Sequence, residues 1–231
     1  MYFCVILNNM DDLKRYMEEN RILKIKIDYD SLDKTQLLVY TTCNQIIITA
    51  SAIAYFTDNF MESFNKIVPF ILPQGIYKDN SRKIINLTLE IRDFISCEDG
   101  FVRSTAILVN MMEHLIKLIN KIKQCYGEYN VITQQMHIYE IFTEINMKTL
   151  TILLDNISGN KEFKESRKFV NKIIYKYFKI SNDPHELLNI FTEMVAVIAS
   201  LSRATAEGGW NLLREEVFKL GGYIDGEQPT D

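Results

Sequence analysis

The groups in this chain best spaced for chemistry are His137, Glu140 and Glu144, which fall at i, i+3 and i+7 of a helical stretch. One imidazole and two carboxylates on a single face could begin a metal centre. Helical di-metal sites complete that set with a Glu-x-x-His pair from a second helix. The sequence contains no such pair, so the three residues are expected to form an exposed helix face and no metal or cofactor is expected. His114 follows Glu113 on the side of its helix opposite the apolar stripe and is expected to face solvent. His185 is better explained as part of a helix start.

Other catalytic arrangements fare no better. Cys4, Cys43, Cys97 and Cys125 include no Cys-x-x-Cys pair and have no neighbouring histidine, so they read as free, mostly buried thiols in a reducing compartment. The run Asp28-Tyr29-Asp30-Ser31-Leu32-Asp33 starts like a calcium loop, but Leu32 takes a ligand position and no glycine follows for the sharp turn. The 9 glycines form neither GxxxxGK nor GxGxxG, which removes the usual means of wrapping a phosphate in backbone amides. No serine or cysteine is placed beside a base in a recognisable motif. A site assembled from distant residues stays open, but the motif search leans away from catalysis.

The clearest charged feature is a basic ridge. Lys161, Lys164, Lys168, Lys172 and Lys176 step by three and four residues, with Arg167 beside them, so they line one helix face opposite its apolar side. A solvated surface explains such a ridge, and an electrostatic contact with an acidic partner or a nucleic-acid backbone is the sharper alternative. Acidic residues number 30 against 26 basic ones, a net charge of -4, which disfavours duplex binding as the main role because phosphate contacts call for a basic surplus.

These groups must be positioned by a mainly α fold. The chain has 231 residues, 47% of them hydrophobic and 24% charged, enough for a core of its own without metals or disulfides. Residues 1–43 read as a mixed element: strand-like runs at Tyr2 to Leu7, Ile22 to Ile27 and Gln36 to Thr42, with a short helix from Asp11 to Asn20. Residues 44–224 read as a bundle of about six to seven helices, and 225–231 as a mobile acidic tail. Helices are expected from Ile46 to Phe70, ended by Pro69 and Pro73, and from Asn80 or Ser81 to Phe94. Further helices run from Gly100 to Tyr126, Val131 to Ile157 and Glu162 to Phe178.

Phe101, Thr105, Leu108, Met112, Leu115, Ile119 and Ile122 alternate steps of four and three, the stripe of a helix packed nearly parallel to its neighbours. The apolar face of the next helix is wide, including Ile138, Ile141, Phe142, Ile145, Leu150, Leu153 and Leu154, and should meet partners on more than one side. Asp183-Pro184-His185-Glu186 joins a capping aspartate to a proline at the first helical position. Gly208-Gly209 is expected to end that helix, with a last one from Trp210 to Leu220.

The apolar N-terminus lacks a basic leader, and the longest apolar run, Ile46 to Phe56, falls short of the roughly 20 residues of a spanning helix. A cytoplasmic location without a membrane span is the expectation.

Gly208-Gly209-Trp210-Asn211-Leu212-Leu213 resembles the GGW element of Bcl-2 family proteins, where the second homology region opens a helix near the end of the fold. Val102-Arg103-Ser104-Thr105-Ala106-Ile107 is similar to a helix of the diverged poxviral members. The two segments cover under a tenth of the chain, and the family's Asn-Trp-Gly-Arg element is absent. The resemblance implies a groove that holds a partner's amphipathic helix. From the residues themselves, Trp210 reads as an aromatic anchor. The leading expectation is a non-enzymatic interaction or assembly subunit acting through a protein partner or self-association. A groove regulator and a nucleic-acid-binding subunit using Lys161 to Lys176 are the alternatives.

Overall fold

A computed structural model describes residues 15, 25–26, 32–71, 81–96, 100–127, 130–158, 160–179, 181–219 and 223–224. Six helices make up nearly all of them: α1 (Lys34–Ile71), α2 (Ser81–Ile95), α3 (Gly100–Tyr126), α4 (Val131–Ile157), α5 (Asn160–Tyr177) and α6 (Pro184–Lys219). A helical bundle is the fold.

Local chemistry fixes most boundaries. Gly127 ends α3 with φ at +77°, a backbone conformation that suits a residue without Cβ, and its N–H donates to the Lys123 carbonyl at 2.9 Å. The Asn130 side chain caps α4 by accepting from the Ile132 N–H at 2.9 Å. Asp183 caps α6 by accepting from the His185 N–H at 3.1 Å, with Pro184 in the first turn.

At α1 the expected strand from Gln36 to Thr42 is helical instead. Asp33 Oδ1 accepts from the backbone N–H groups of Thr35 and Gln36, both at 2.8 Å, while Gln36 Oε1 accepts from the Asp33 N–H at 3.0 Å. This reciprocal capping box satisfies donors that a strand would leave to a neighbour, and it outweighs the weak strand preference of a short Leu, Val and Thr run. The division expected at 43/44 thus falls inside one continuous helix. Pro69 lies in the last turn of α1, so the helix continues to Ile71.

Within the described residues, the N-terminal strands are represented by one two-residue pairing, Ile25–Lys26 antiparallel to Tyr223–Ile224. Tyr2 to Leu7, most of Asp11 to Asn20, and the tail 225–231 lie outside the described residues.

The core is organised about α3, which packs against α2, α4, α5 and α6, while α1 packs against α4 and α6. Every residue from Ser104 to Met112 is buried, so this part of α3 meets protein on all sides. Its polar members are satisfied within the helix: Ser104 and Thr105 hydroxyls donate to the Phe101 carbonyl, and Asn110 Nδ2 donates to the Ala106 carbonyl at 2.7 Å. By length and composition α1 and α6 could each cross a bilayer, contrary to the sequence expectation, yet half or more of each apolar stretch is buried inside the fold. Supplying a core on several sides requires the same apolar composition.

The expected stop at Gly208-Gly209 does not occur, because α6 runs through both glycines as one helix. A Cβ at Gly209 would stand 2.6 Å from both Ile47 Cγ1 and Phe101 Cε2, whereas one at Gly208 would meet nothing within 4 Å. Gly209 therefore lets α1 and α3 approach α6, and the glycine pair is a packing device rather than a terminator. Gly209→Ala should destabilise the fold by about 1–3 kcal/mol, since Ile47 and Phe101 are buried and cannot yield without strain. Gly208→Ala should stabilise it by about 0.4–1 kcal/mol. Urea unfolding of the two variants beside the wild type measures the difference in sign.

Candidate interaction surfaces

Helix α4 carries two apolar faces. The inner one, including Ile132, Met136, Tyr139, Leu150 and Leu154, is buried. An aromatic cluster fastens it to α1: the Tyr139 and Phe60 rings lie 4.3 Å apart and the Phe56 and Phe142 rings 3.8 Å apart, each pair stacked. Phe191 of α6 meets Phe60, Phe64 and Tyr139 edge-on. Tyr139 Oη sits 3.0 Å from Thr57 Oγ1, and burial pushes its phenol well above the usual range.

The outer face is also apolar, and among the described residues its side chains are largely exposed. Val131 is 52% exposed, Ile141 48%, Ile145 59% and Ile152 65%, with Ile138 half-buried among them. Positions 131, 134, 138, 141, 145, 148 and 152 alternate steps of three and four and so lie along one side of the helix. Gln134 and Lys148 are its only polar members. A stripe of this extent is unusual on a surface that meets only water.

The inner and outer faces also settle the fate of the carboxylate cluster. Glu140 is not on an exposed face: it is buried, where it accepts from Lys123 Nζ at 2.7 Å and lies 3.4 Å from His137 Nδ1. The pair joins α3 to α4 and sets an opposite charge beside the buried carboxylate. Among the described residues no three His, Cys, Asp or Glu side chains gather as a metal would require.

The basic ridge on α5 is divided by the fold. Arg167 reaches across to Glu113 of α3 at 2.7 Å and lies over the Phe163 ring, and Lys176 binds Glu90 of α2 together with the Tyr177 hydroxyl. Their hydrogen bonds hold Glu113 and Glu90 below the ordinary carboxylate range, through Lys117 first for Glu113 and Lys176 first for Glu90. Lys161, Lys164, Lys168 and Lys172 remain exposed, with no ion-pair partner among the described residues. Trp210 stands apart from the ridge, on α6, partly buried against the core. It neither opens a helix nor joins the lysines.

Between α2 and α6 lies an open apolar groove of about 220 Å³, lined by Thr88, Ile91, Arg92 and Ile95 on one side and Val197, Ser200, Leu201 and Ala204 on the other. Ile85 and Leu89 of α2 are exposed nearby in the chain. The thiols divide: Cys43 is buried, which pushes it up to about 11 and leaves it little thiolate, whereas Cys125 is exposed. Cys4 and Cys97 lie outside the described residues.

His114 is not free in solvent as expected. It sits half-buried between α3 and α5, its Nε2 3.0 Å from Asn171 Oδ1. Burial lowers its pKa first; Lys117 and Arg167 lower it further, while Asn171 and Glu113 act the other way.

Comparison with protein-family models, with curated proteins and with solved structures finds no match to this chain. Sequence reading placed Ile138, Ile141 and Ile145 on one wide apolar face together with Leu150, Leu153 and Leu154; the three-four register from Val131 to Ile152 is the signal that separates the outward set from the buried one.

Because the folded pKa of His114 lies below its unfolded value, the unfolded chain takes up the proton more readily as pH falls through the mid-sixes. Its contribution to stability is complete above about pH 6.5 and is lost on acidification through the folded pKa. Urea midpoints measured from pH 7.5 to 5 should fall, and His114→Gln should flatten that portion of the profile while leaving the carboxylate-driven loss below about pH 4.5 in place.

Proposed function

We propose that this chain is a non-enzymatic interaction subunit that works through protein contact at the outer face of α4. The observation that carries this reading is the exposed stripe Val131, Ile141, Ile145 and Ile152, with half-buried Ile138 among them, on a helix whose opposite face is locked into the core. Burial of such a stripe supplies association free energy at about 25 cal/mol per Å² of apolar surface, and its rigidity avoids ordering costs. The helix is held by aromatic packing and by the Glu140–Lys123 pair, so the face is presented in one conformation.

Ile145→Glu tests the reading, because an exposed side chain can be changed with an effect on stability within about 0.5 kcal/mol. Proteins recovered from cells with the tagged wild-type chain should be lost from the tagged variant at an unchanged thermal midpoint. Recovery of the same set with both would contradict it.

A second reading, a regulator that holds a partner's amphipathic helix, is favoured by the groove between α2 and α6. Its size and openness suit two or three apolar side chains of a docked helix rather than an enclosed small ligand. Titration with amphipathic death-motif peptides should then give binding that Ala204→Arg weakens at least tenfold. Equal behaviour of variant and wild type, or no binding to either, counts against the groove.

A further inference from the structure

We propose that the crest of α5 docks the protein on an anionic lipid bilayer, its lysine ammonium groups lying among the charged headgroups at the membrane surface. This surface is separate from the outer face of α4 and does not depend on the reading of that face.

Positive charge is concentrated on this helix. α5 holds six basic residues and two acidic ones, a net of +4 in a chain whose total is -4, so the remaining residues sum to -8. An anionic surface therefore attracts α5 and repels the rest of the molecule, which orients the approach before any contact forms.

The crest differs from its flanks. Arg167 and Lys176 are nine residues apart, two and a half helical turns, and so point to opposite sides of α5. Each is already matched by a carboxylate, Arg167 by Glu113 at 2.7 Å and Lys176 by Glu90. Between them Lys161, Lys164, Lys168 and Lys172 step by three and four along the crest, exposed and without an ion-pair partner among the described residues. The uncompensated charge is thus a single line about 17 Å long at 1.5 Å per residue, on the outer edge of a helix.

That shape decides between polyanions. A nucleic-acid groove presents phosphates on two walls and calls for free cations on both flanks, where this helix has neutralised pairs. A bilayer presents its anionic headgroups in a plane and meets the crest alone. The free cations of α5 are all lysines, point charges that suit many headgroups in no fixed geometry. Its one arginine, the side chain suited to bidentate phosphate recognition, is held by Glu113. Tyr175 continues the same line three residues past Lys172 and is 88% exposed. An aromatic ring with a polar tip, bare in water, is a side chain that settles at the headgroup level of a membrane.

Co-sedimentation of the full chain with vesicles of phosphatidylcholine, alone or mixed with phosphatidylserine, tests the docking. The protein should partition onto the mixed vesicles and not onto the neutral ones, and should be released as salt rises. Lys164→Gln, Lys168→Gln and Lys172→Gln together should weaken partitioning about a hundredfold, about fivefold per lysine, at unchanged helical content. If the triple variant does not fold, the three single variants carry the same test. Lys66→Gln and Lys148→Gln, at exposed lysines of α1 and α4, should leave partitioning within about twofold of the wild type. No partitioning onto the mixed vesicles, equal partitioning onto the neutral ones, or an unaffected triple variant overturns the proposal. Tighter binding to a mixed-sequence oligonucleotide than to the mixed vesicles at equal anionic charge, lost in the triple variant, also overturns it and assigns the crest to nucleic acid.

Discussion

The constraint on which the rest of the structure depends is that α3 must be covered on every side from Ser104 to Met112. A helix with one apolar face needs one neighbour, and a helix buried all round needs several. Four other helices meet α3 in consequence. The polar residues in this stretch do not oppose burial, because their hydroxyl and amide groups return hydrogen bonds to carbonyls three or four residues back.

That central demand explains the two long helices. α1 and α6 lie against each other and each carries enough apolar residues to span a membrane, since each supplies a large part of the same core. They pack tightly at Gly209, where a single added carbon would strike Ile47 of α1 and Phe101 of α3. At the other end of the contact, the Phe60, Phe64, Tyr139 and Phe191 rings form the aromatic wall that joins α1, α4 and α6. α2 and α5 bury Leu87, Ile91, Val170 and Ile173 in the same core, and ion pairs add to the rim: Lys83 of α2 with Glu193 of α6, Arg103 of α3 with Glu165 of α5, and Glu90 with Lys176. Such partly exposed pairs contribute less than packing.

Helix positions were legible wherever periodicity and an end signal agreed. α2, α3 and α4 follow their expected spans because the apolar stripe, Gly127 and the short polar turns all mark the same limits. The reading failed where one residue type serves two purposes. Gly208-Gly209 resembles a helix end, but its role is set by Ile47 and Phe101, which are distant in sequence. Gln36 to Thr42 resembles a strand, although Asp33 and Gln36 hold the cap that makes it helical. Glu140 and His114 were read as surface groups because their partners, Lys123 and Asn171, sit on other helices. The lysine ridge was legible as a pattern, while its division by Glu113 and Glu90 depended on which helices flank α5.

The outer stripe of α4 is the counterpart of the buried α3. Once the inner face of α4 has joined the core, Val131, Ile141, Ile145 and Ile152 remain exposed, and the proposed association is argued from this face. The whole account stands on the burial of α3, which native-state hydrogen exchange reads directly. Amides from Ala106 to Met112 should exchange only through global unfolding, with protection equal to the full stability and greater than that of α2 or α5. Exchange of these amides through local openings, as fast as those of α2, would contradict it.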